Sequence, residues 1–333
     1  MKAFIIDRYG AADRVRLGDV PEPKLREDDV LIQIHAAGVN LVDSKIRNGE
    51  FKSFLRHPLP LILGHDVAGV VVRVGSGVRR FKPGDEVYAA DGRAGTFAEF
   101  VATREDDVAM KPAALTMTEA ASIPLVGLTA WQVLVERANL RRGQKVLIHA
   151  GSGGVGTFAV QLAKYLGATV ATTAGTENVD LVRSLGADIV VDYKKEDFSS
   201  VLRDYDVVLN SLDKVTLEKS LRVLKPGGQL ISISGPPDAA FARTIGAPWV
   251  LRMVMGALSR GIRAQAKRQQ VHYSFLFMRA NGGQLARITS LVDDGIIRPV
   301  VDRVFPFAST KDAMAYVEAG RSKGKVIIAV RES

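Results

Sequence analysis

The residues with the clearest chemical meaning in this chain form a glycine-rich run, GSGGVG, at positions 151–156. A short apolar stretch at 146–150 precedes it, and a helical pattern follows at 157–166. Spacing alone is weak evidence, because 31 of the 333 residues are glycine. In this strand–turn–helix context, Gly151 and Gly153 would let backbone N–H groups approach a pyrophosphate, and Gly156 would let the helix pack on the strand. The run therefore predicts a dinucleotide site, with an ordinary strand-to-helix turn as the alternative.

The residues beyond this run bear on which dinucleotide is bound. In NAD-specific sites a carboxylate about 20 residues after the loop binds the ribose hydroxyls. The corresponding strand end, 172–176, is neutral here, and Glu177 follows it a few residues late. Because a carboxylate at the strand end would repel a 2′-phosphate, its absence favours NADPH. Lys194 and Lys195 follow the next strand, either as partners of that phosphate or as plain surface charges.

The composition excludes several kinds of site. The chain has no cysteine, which rules out disulfides and zinc sites built on thiolates. Its 45 basic and 36 acidic residues give a net charge of +9. The densest basic cluster comprises Arg260, Arg263, Lys267 and Arg268. No aromatic residues lie between these positions, so we expect a solvated helix face and no nucleic-acid partner.

The chain shows no targeting or membrane signal. Residues 1–7 have the pattern of a strand rather than of a signal peptide. No run of about 18 uncharged apolar residues predicts a membrane span. We therefore expect a cytoplasmic protein without a spanning segment.

Two patterns divide the chain into domains. Residues 1 to about 120 contain short β-branched runs separated by glycine and proline, as in a barrel-like unit. After Pro124, helical segments alternate with short apolar strands, which indicates a doubly wound parallel sheet. The C-terminal segment returns to a mixed pattern that we assign to the first unit. The predicted fold class is α/β, with domains at 1–122 plus 283–333 and at 123–282.

Residues 236–270 have the character of an insertion, helical from Trp249 onward. For the large apolar side chains at 249–255 we expect core packing, with a cover over the active site or a subunit contact as alternatives. A homodimer is the one assembly that we keep as an option.

Several separated stretches resemble the medium-chain dehydrogenase/reductase superfamily. Besides the glycine loop, they are GVNLVD at 38–43, GHDVAGVV at 64–71, FKPGDEV at 81–87, LGAD at 185–188 and GKVII at 324–328. Within the superfamily the chain resembles the zinc-free quinone oxidoreductase (zeta-crystallin-like) branch. The stretches VHYSFLFM at 271–278 and IRPV at 297–300 look most like the reticulon-interacting mitochondrial oxidoreductases and their bacterial relatives. The resemblance implies a GroES-like catalytic domain and a Rossmann domain, with the active site in the cleft between them.

The resemblance also allows a test for zinc. Zinc-dependent alcohol dehydrogenases of the superfamily place a cysteine where this chain has Asn40, a histidine at His65, and a further thiolate near 125–127. Only the histidine is present here, whereas a catalytic zinc needs three protein ligands. We therefore expect no metal, and a packing or hydrogen-bonding role for His65.

Catalytic and cofactor-binding residues follow from the same resemblance. Asn40 would act as a neutral amide donor to the substrate oxygen, Asp43 would orient it or cap a helix, and Thr129 would lie near the nicotinamide. The expected cofactor-binding residues are Ser152, Gly153, Gly154, Val155, Gly156, Thr173, Gly175, Tyr193, Ser211, Leu276, Phe277 and Lys323.

Together these expectations describe an NADPH-dependent, zinc-independent oxidoreductase that reduces quinones or α,β-unsaturated carbonyls by hydride transfer. Such small-molecule acceptors are already electrophilic and need no metal to activate them. An enoyl-thioester reductase on the same fold is the alternative enzyme. A cofactor-binding interaction protein with little turnover is the alternative from another class.

Overall fold

The computed structural model describes residues 1–52 and 57–331, which form two compact units. Unit 1 combines Met1–Leu128 with Arg279–Ser333, and unit 2 is Thr129–Met278. The boundaries lie a few residues from those that the sequence predicts. The helix that begins at Pro124 spans the first boundary, so the change of pattern marks the start of that helix and not the point where the units separate.

The described residues contain sixteen strands and twelve α-helices. The strands are β1 (Lys2–Ile6), β2 (Arg16–Asp19), β3 (Asp29–Val39), β4 (Leu61–Ile62), β5 (Asp66–Val74), β6 (Glu86–Ala90), β7 (Phe100–Arg104), β8 (Val108–Met110), β9 (Lys145–Ile148), β10 (Thr169–Ala174), β11 (Ile189–Asp192), β12 (Tyr205–Asn210), β13 (Leu224–Ser232), β14 (His272–Phe275), β15 (Val301–Pro306) and β16 (Lys325–Ala329). The helices are α1 (Leu41–Asn48), α2 (Met117–Ala120), α3 (Pro124–Trp131), α4 (Gly154–Tyr165), α5 (Val179–Ser184), α6 (Phe198–Val201), α7 (Lys214–Ser220), α8 (Ala239–Thr244), α9 (Trp249–Leu258), α10 (Arg260–Arg268), α11 (Gly282–Asp293) and α12 (Thr310–Glu318).

Unit 1 is built on a seven-stranded sheet in the order β15-β16-β3-β5-β6-β8, with β7 also paired to β3. The long central strand β3 pairs antiparallel with both β16 and β5. The registers place Val326 opposite Val39 and Asp66 opposite Gly38. The end of β3 and the starts of β5 and β16 therefore lie side by side, where these three neighbouring strands begin or end.

Unit 2 is a six-stranded parallel sheet in the order β11-β10-β9-β12-β13-β14. Its core includes Leu147, Ala171, Val208 and Leu230 from four adjacent strands. The chain begins at the central strand β9, proceeds outward through β10 and β11, and then crosses back to β12. In sheets of this kind ligands bind beyond the carboxyl ends of the strands at that reversal. The predicted α/β fold class, with a GroES-like unit and a Rossmann unit, is confirmed.

One helical run is long and apolar enough to cross a membrane. It spans Met117–Arg137 among the described residues, but 72% of its apolar window is buried inside the protein. That burial is what a core helix shows.

The prediction of core packing for residues 249–255 is wrong. Trp249 is 70% exposed and Met253 is 65% exposed, whereas only Met255 of α9 is buried. The helix is apolar around much of its circumference, and a single face of it packs against the unit.

Candidate active site

A buried polar network lies where strands β3, β5 and β16 meet. The Lys325 ammonium donates to Asn40 Oδ1 at 2.5 Å, to Asp66 Oδ2 at 3.0 Å and to the Val39 carbonyl at 3.1 Å. The backbone N–H of Leu125 donates to the other oxygen of Asp66 at 2.7 Å. Asp66 is fully buried and Lys325 is 4% exposed. A buried ion pair of this kind is stable only when further hydrogen bonds satisfy both partners, as they do here.

These contacts orient the side chain of Asn40. Its Nδ2 donates to Asp66 Oδ2 at 2.9 Å and makes a weak 3.4 Å contact with the Gly38 carbonyl. A Cβ at Gly38 would lie 2.8 Å from Asp66 Oδ2, so the glycine makes room for that carboxylate. With an ammonium on one side and a carboxylate on the other, the amide cannot be flipped without losing both bonds. The donor role of Asn40 toward a substrate stays a prediction.

Asp43 joins this network to His65. Its Oδ2 accepts the backbone N–H of Asn40 at 2.8 Å, as an acidic residue in the first turn of α1 does at a helix N-terminus. Its Oδ1 pairs with His65 Nδ1 at 2.6 Å. Asp43 therefore caps the helix, one of its two expected roles, and also holds the imidazole. The expected hydrogen-bonding role of His65 is what the structure shows.

The acidic surroundings of His65 favour its protonated form. Burial would lower the pKa of His65, but the hydrogen bond and charge of Asp43, with the charges of Asp91 and Asp66, raise it above 6.5. Burial raises the pKa of Asp91, against the opposing contact with Arg93. In the described part of the chain, no group hydrogen-bonds to Nε2 of His65. A protonated His65 thus keeps one N–H available.

This donor set does not fit a catalytic zinc. In the described ranges, 1–52 and 57–331, no three His, Cys, Asp or Glu residues converge as metal ligands. Asn40, at the position of a cysteine ligand in zinc-dependent relatives, already bonds Asp66 and Lys325. The zinc-free interpretation thus rests on the identity and occupation of the donors.

The sequence does not single out Lys325 or Asp66 as members of this site. The one feature of the sequence that could have indicated Lys325 is its place as a lone lysine at the start of an apolar terminal strand, in Gly324-Lys325-Val326. A lysine there is ordinarily a surface residue. Only the antiparallel register of β16 with β3 places it beside Asn40.

The glycine loop of unit 2 has the geometry expected of a phosphate site. Helix α4 begins at Gly154, its N-cap residue Gly153 is extended, and no side chain caps it. An uncapped helix N-terminus leaves first-turn N–H groups for an anion. A Cβ at Gly156 would lie 2.1 Å from the Ala150 carbonyl oxygen, and one at Gly151 would lie 2.0 Å from Thr172 Oγ1. The turn therefore requires glycine at both positions.

The neutral side chain of His149 helps to hold this loop through hydrogen bonds. His149 Nε2 lies 2.9 Å from Ser220 Oγ, which itself donates to the Thr216 carbonyl, so we assign the proton to Nε2. Nδ1 then accepts from Thr173 Oγ1 at 3.2 Å, and that hydroxyl accepts the Ala150 N–H at 3.1 Å. Burial lowers the pKa of His149 to about 4. Thr173, an expected cofactor-binding residue, is engaged in holding the loop.

At the end of strand β10, charges are balanced in pairs. Lys194 Nζ lies 2.7 Å from Glu177 Oε2, and Lys195 Nζ lies 3.3 Å from Asp192 Oδ2. Tyr193 between them is 61% exposed. Both lysines are paired. Because Lys194 compensates the carboxylate of Glu177, that carboxylate is not an unpaired negative charge near Gly175.

The remaining expected residues divide between the two units. Thr129, Ser211, Leu276 and Phe277 belong to unit 2, and Lys323 belongs to unit 1. Ser211 Oγ contacts the His149 carbonyl at 3.4 Å, and the Leu276 N–H donates to the Ser232 carbonyl at 2.9 Å. Their roles toward a cofactor stay predictions.

Comparison with known proteins agrees with this architecture. Residues 26–113 match the alcohol dehydrogenase GroES-like domain family, and residues 185–328 match the zinc-binding dehydrogenase family. The chain is 36% identical to the NADPH-dependent alkenal/one oxidoreductase, chloroplastic, of Arabidopsis thaliana, over 98% of this chain and 79% of that protein. It is also 36% identical to the mitochondrial NAD(P)H oxidoreductase RTN4IP1 of Danio rerio, over 100% of this chain and 92% of that protein. The chain belongs to the medium-chain dehydrogenase/reductase superfamily.

A solved structure extends the likeness to the whole fold. The quinone oxidoreductase of Coxiella burnetii superposes with a TM-score of 0.87 at 32% identity, covering 99% of each chain. The predicted superfamily and its quinone oxidoreductase branch are confirmed. The words "zinc-binding" in that family name do not fit the donors around Asn40 and His65, because no three potential ligands converge among the residues that the structure describes.

Proposed function

We propose that this medium-chain dehydrogenase/reductase is an NADPH-dependent, zinc-independent oxidoreductase that reduces quinones or α,β-unsaturated carbonyls. The observation that carries the proposal is the network of Asn40, Asp66 and Lys325, where charge-balanced side chains stand in place of metal ligands. Without a metal to polarise a plain carbonyl, the acceptor must already be electrophilic. The names of the relatives, an NADPH-dependent alkenal/one oxidoreductase and a quinone oxidoreductase, support both the cofactor and this substrate class.

Each unit of the chain has a separate task in this proposal. NADPH, when bound, supplies the hydride. In unit 2 the N–H groups at the start of α4 would hold the pyrophosphate, together with the expected residues from Ser152 to Gly156. Lys194 or Lys195, each now paired with a carboxylate, would bind the 2′-phosphate. Thr129 would lie by the nicotinamide, as the resemblance to the family implies.

In unit 1, we assign His65 as the donor of the proton that the reduced product needs. Reduction adds a hydride to one carbon of the acceptor and leaves an enolate or hydroquinone anion, which needs a proton. The imidazolium Nε2–H is available, and Asp43 holds the opposite nitrogen. His65 donates this proton and then recovers one from solvent. The second N–H of the Asn40 amide, which makes only the weak 3.4 Å contact with the Gly38 carbonyl, donates a hydrogen bond to the oxygen that gains charge.

The test is oxidation of NADPH against a quinone, an alkenal, an enone and an enoyl-thioester. We expect turnover with at least one of the first three, retained after treatment with a metal chelator, and slower turnover with NADH. Turnover of the enoyl-thioester alone would favour the alternative enzyme. Bound NADPH with no turnover on the whole panel would favour an interaction protein.

The assembly and location of the chain form a separate part of the proposal. We propose a homodimer in the cytoplasm, and sedimentation velocity with cell fractionation tests both. The two relatives are named chloroplastic and mitochondrial, so an organellar location of this chain would overturn the second statement.

A further inference from the structure

Helix α9 presents an apolar face to solvent. Trp249, Val250, Met253, Val254 and Leu258 are between 47% and 70% exposed. At about 100° per residue these positions cover close to half of the helix circumference. Met255, on the opposite side, is 2% exposed and packs into unit 2. A contiguous exposed apolar face of this kind marks an interaction surface.

The same segment carries only positive charge. Between positions 239 and 278 there is no aspartate or glutamate, while six basic residues are present. They are Arg243, Arg252, Arg260, Arg263, Lys267 and Arg268. In the part of the chain that the structure describes, none of the six forms an ion pair. Elsewhere, Lys164, Lys194 and Lys225 of unit 2 each face a carboxylate within 3 Å.

Hydrogen bonds hold two of these cations beside the apolar face. Arg252 Nε donates to the Ala247 carbonyl at 2.6 Å, just before α9. Arg263 Nη2, from α10, donates to the Gly256 carbonyl of α9 at 3.3 Å. The exposed side of α10 continues the positive charge, because its buried residues are Ile262 and Ala266 alone. Apolar and cationic groups therefore share one surface.

We propose that α9 and α10 form a docking surface for an anionic lipid bilayer. Large apolar side chains, tryptophan included, enter the interface between headgroups and acyl chains, and flanking cations pair with anionic headgroups. A second copy of this chain fits less well, because a two-fold contact would bring six unpaired cations against six others. A nucleic acid would match the charge but would leave the apolar face in water.

The test uses the full chain with phosphatidylcholine vesicles, with and without phosphatidylserine. We expect sedimentation with the anionic vesicles only, and a blue shift of the Trp249 emission on binding. Replacing Arg260, Arg263, Lys267 and Arg268 by Gln should weaken binding several-hundred-fold, at about fivefold for each charge. The control replaces four exposed cations elsewhere, Arg8, Arg141, Arg222 and Lys311, by Gln and should retain most of the affinity.

A second pair of variants tests the apolar contribution. Met253→Glu should abolish both sedimentation and the blue shift, whereas Val215→Glu, at a position of matched exposure on α7, should not. Circular dichroism and NADPH binding check that each variant is folded. The proposal is overturned if the wild type does not bind anionic vesicles. It is also overturned if the variant of the four α10 cations binds these vesicles as tightly as the control variant of four cations elsewhere. It is also overturned if Met253→Glu converts a dimer to a monomer without weakening vesicle binding. The same holds if replacing the four cations weakens the binding of RNA but not the binding of vesicles.

Discussion

At the scale of single residues, the site in unit 1 is a set of buried charges that balance one another. Lys325 faces Asp66, and the raised pKa of His65 reflects Asp43 and its acidic neighbours. Asn40 lies between the two pairs and is bonded to both, through Asp66 and Lys325 on one side and Asp43 on the other. Removing one charge of either pair leaves its partner buried without the opposite charge that it contacts directly.

The Lys325→Met variant tests the first pair. Loss of the ammonium leaves the fully buried Asp66 with only the Leu125 N–H and the Asn40 amide, so unit 1 should lose about 3–5 kcal/mol in its free energy of unfolding. Lys311→Met, on the surface, should cost almost nothing. The double variant Asp66→Asn with Lys325→Met should recover part of the lost stability. If it recovers none, the two residues are not coupled. Urea unfolding of the wild type and the three variants gives the four free energies of unfolding.

The His65→Gln variant tests the proton donor. Turnover should fall about 100-fold or more, with NADPH affinity unchanged. In the wild type, kcat should decline as pH rises through the raised pKa of His65, and this limb should vanish in the variant. Asp43→Asn should move the limb to lower pH, because burial then acts on the imidazole without its opposing carboxylate. An unchanged profile in His65→Gln would remove the residue from the chemistry, and His35→Gln is the control.

At the scale of elements, the glycine turn shows two different reasons for the same residue type. Gly151 and Gly156 are needed inside the protein, since a Cβ would collide with Thr172 or with the Ala150 carbonyl. At Gly153 a Cβ would come no closer than 3.4 Å to any atom, and its φ of −83° suits any residue. Neither packing nor backbone conformation therefore requires glycine at 153, and the reason that we propose for it is the close approach of the pyrophosphate.

A pair of alanine variants separates these reasons. Gly156→Ala should destabilise unit 2 by about 1–3 kcal/mol through overpacking and weaken NADPH binding as a consequence. Gly153→Ala should leave the unfolding free energy within about 0.5 kcal/mol while weakening NADPH at least tenfold. Calorimetry of unfolding and NADPH titration give the two readouts. Unchanged NADPH affinity in Gly153→Ala would place the pyrophosphate elsewhere.

At the scale of the whole molecule, the two units respond to pH in opposite directions through their buried histidines. In unit 2 the pKa of His149 is lowered from 6.5 to about 4 by burial, so its contribution to stability is present above pH 6.5 and is lost on acidification. In unit 1 the pKa of His65 is raised, so its contribution is present below pH 6.5 and is lost as pH rises through the higher value.

Scanning calorimetry of the full chain checks this opposition. Between about pH 6.5 and 4, unit 2 should lose about 3 kcal/mol through His149, and His149→Gln should flatten that dependence. Above pH 6.5, unit 1 should lose stability in the wild type but less so in His65→Gln. If both variants keep the wild-type pH dependence, these histidines do not set it.

How far the sequence alone reaches depends on the range of the interactions involved. The glycine turn, the alternation of strand and helix and the absence of cysteine are local or compositional, so the fold class, the dinucleotide loop and the lack of thiolate zinc ligands follow from them. Placing Lys325 beside Asn40 required the pairing of β16 with β3, nearly 290 residues apart in the chain. Whether the apolar residues of α9 face inward or outward likewise depended on which side of the helix found a partner. Residue type and spacing specify the elements, but the neighbours of a side chain, and hence its charge state and exposure, are determined by packing between distant segments.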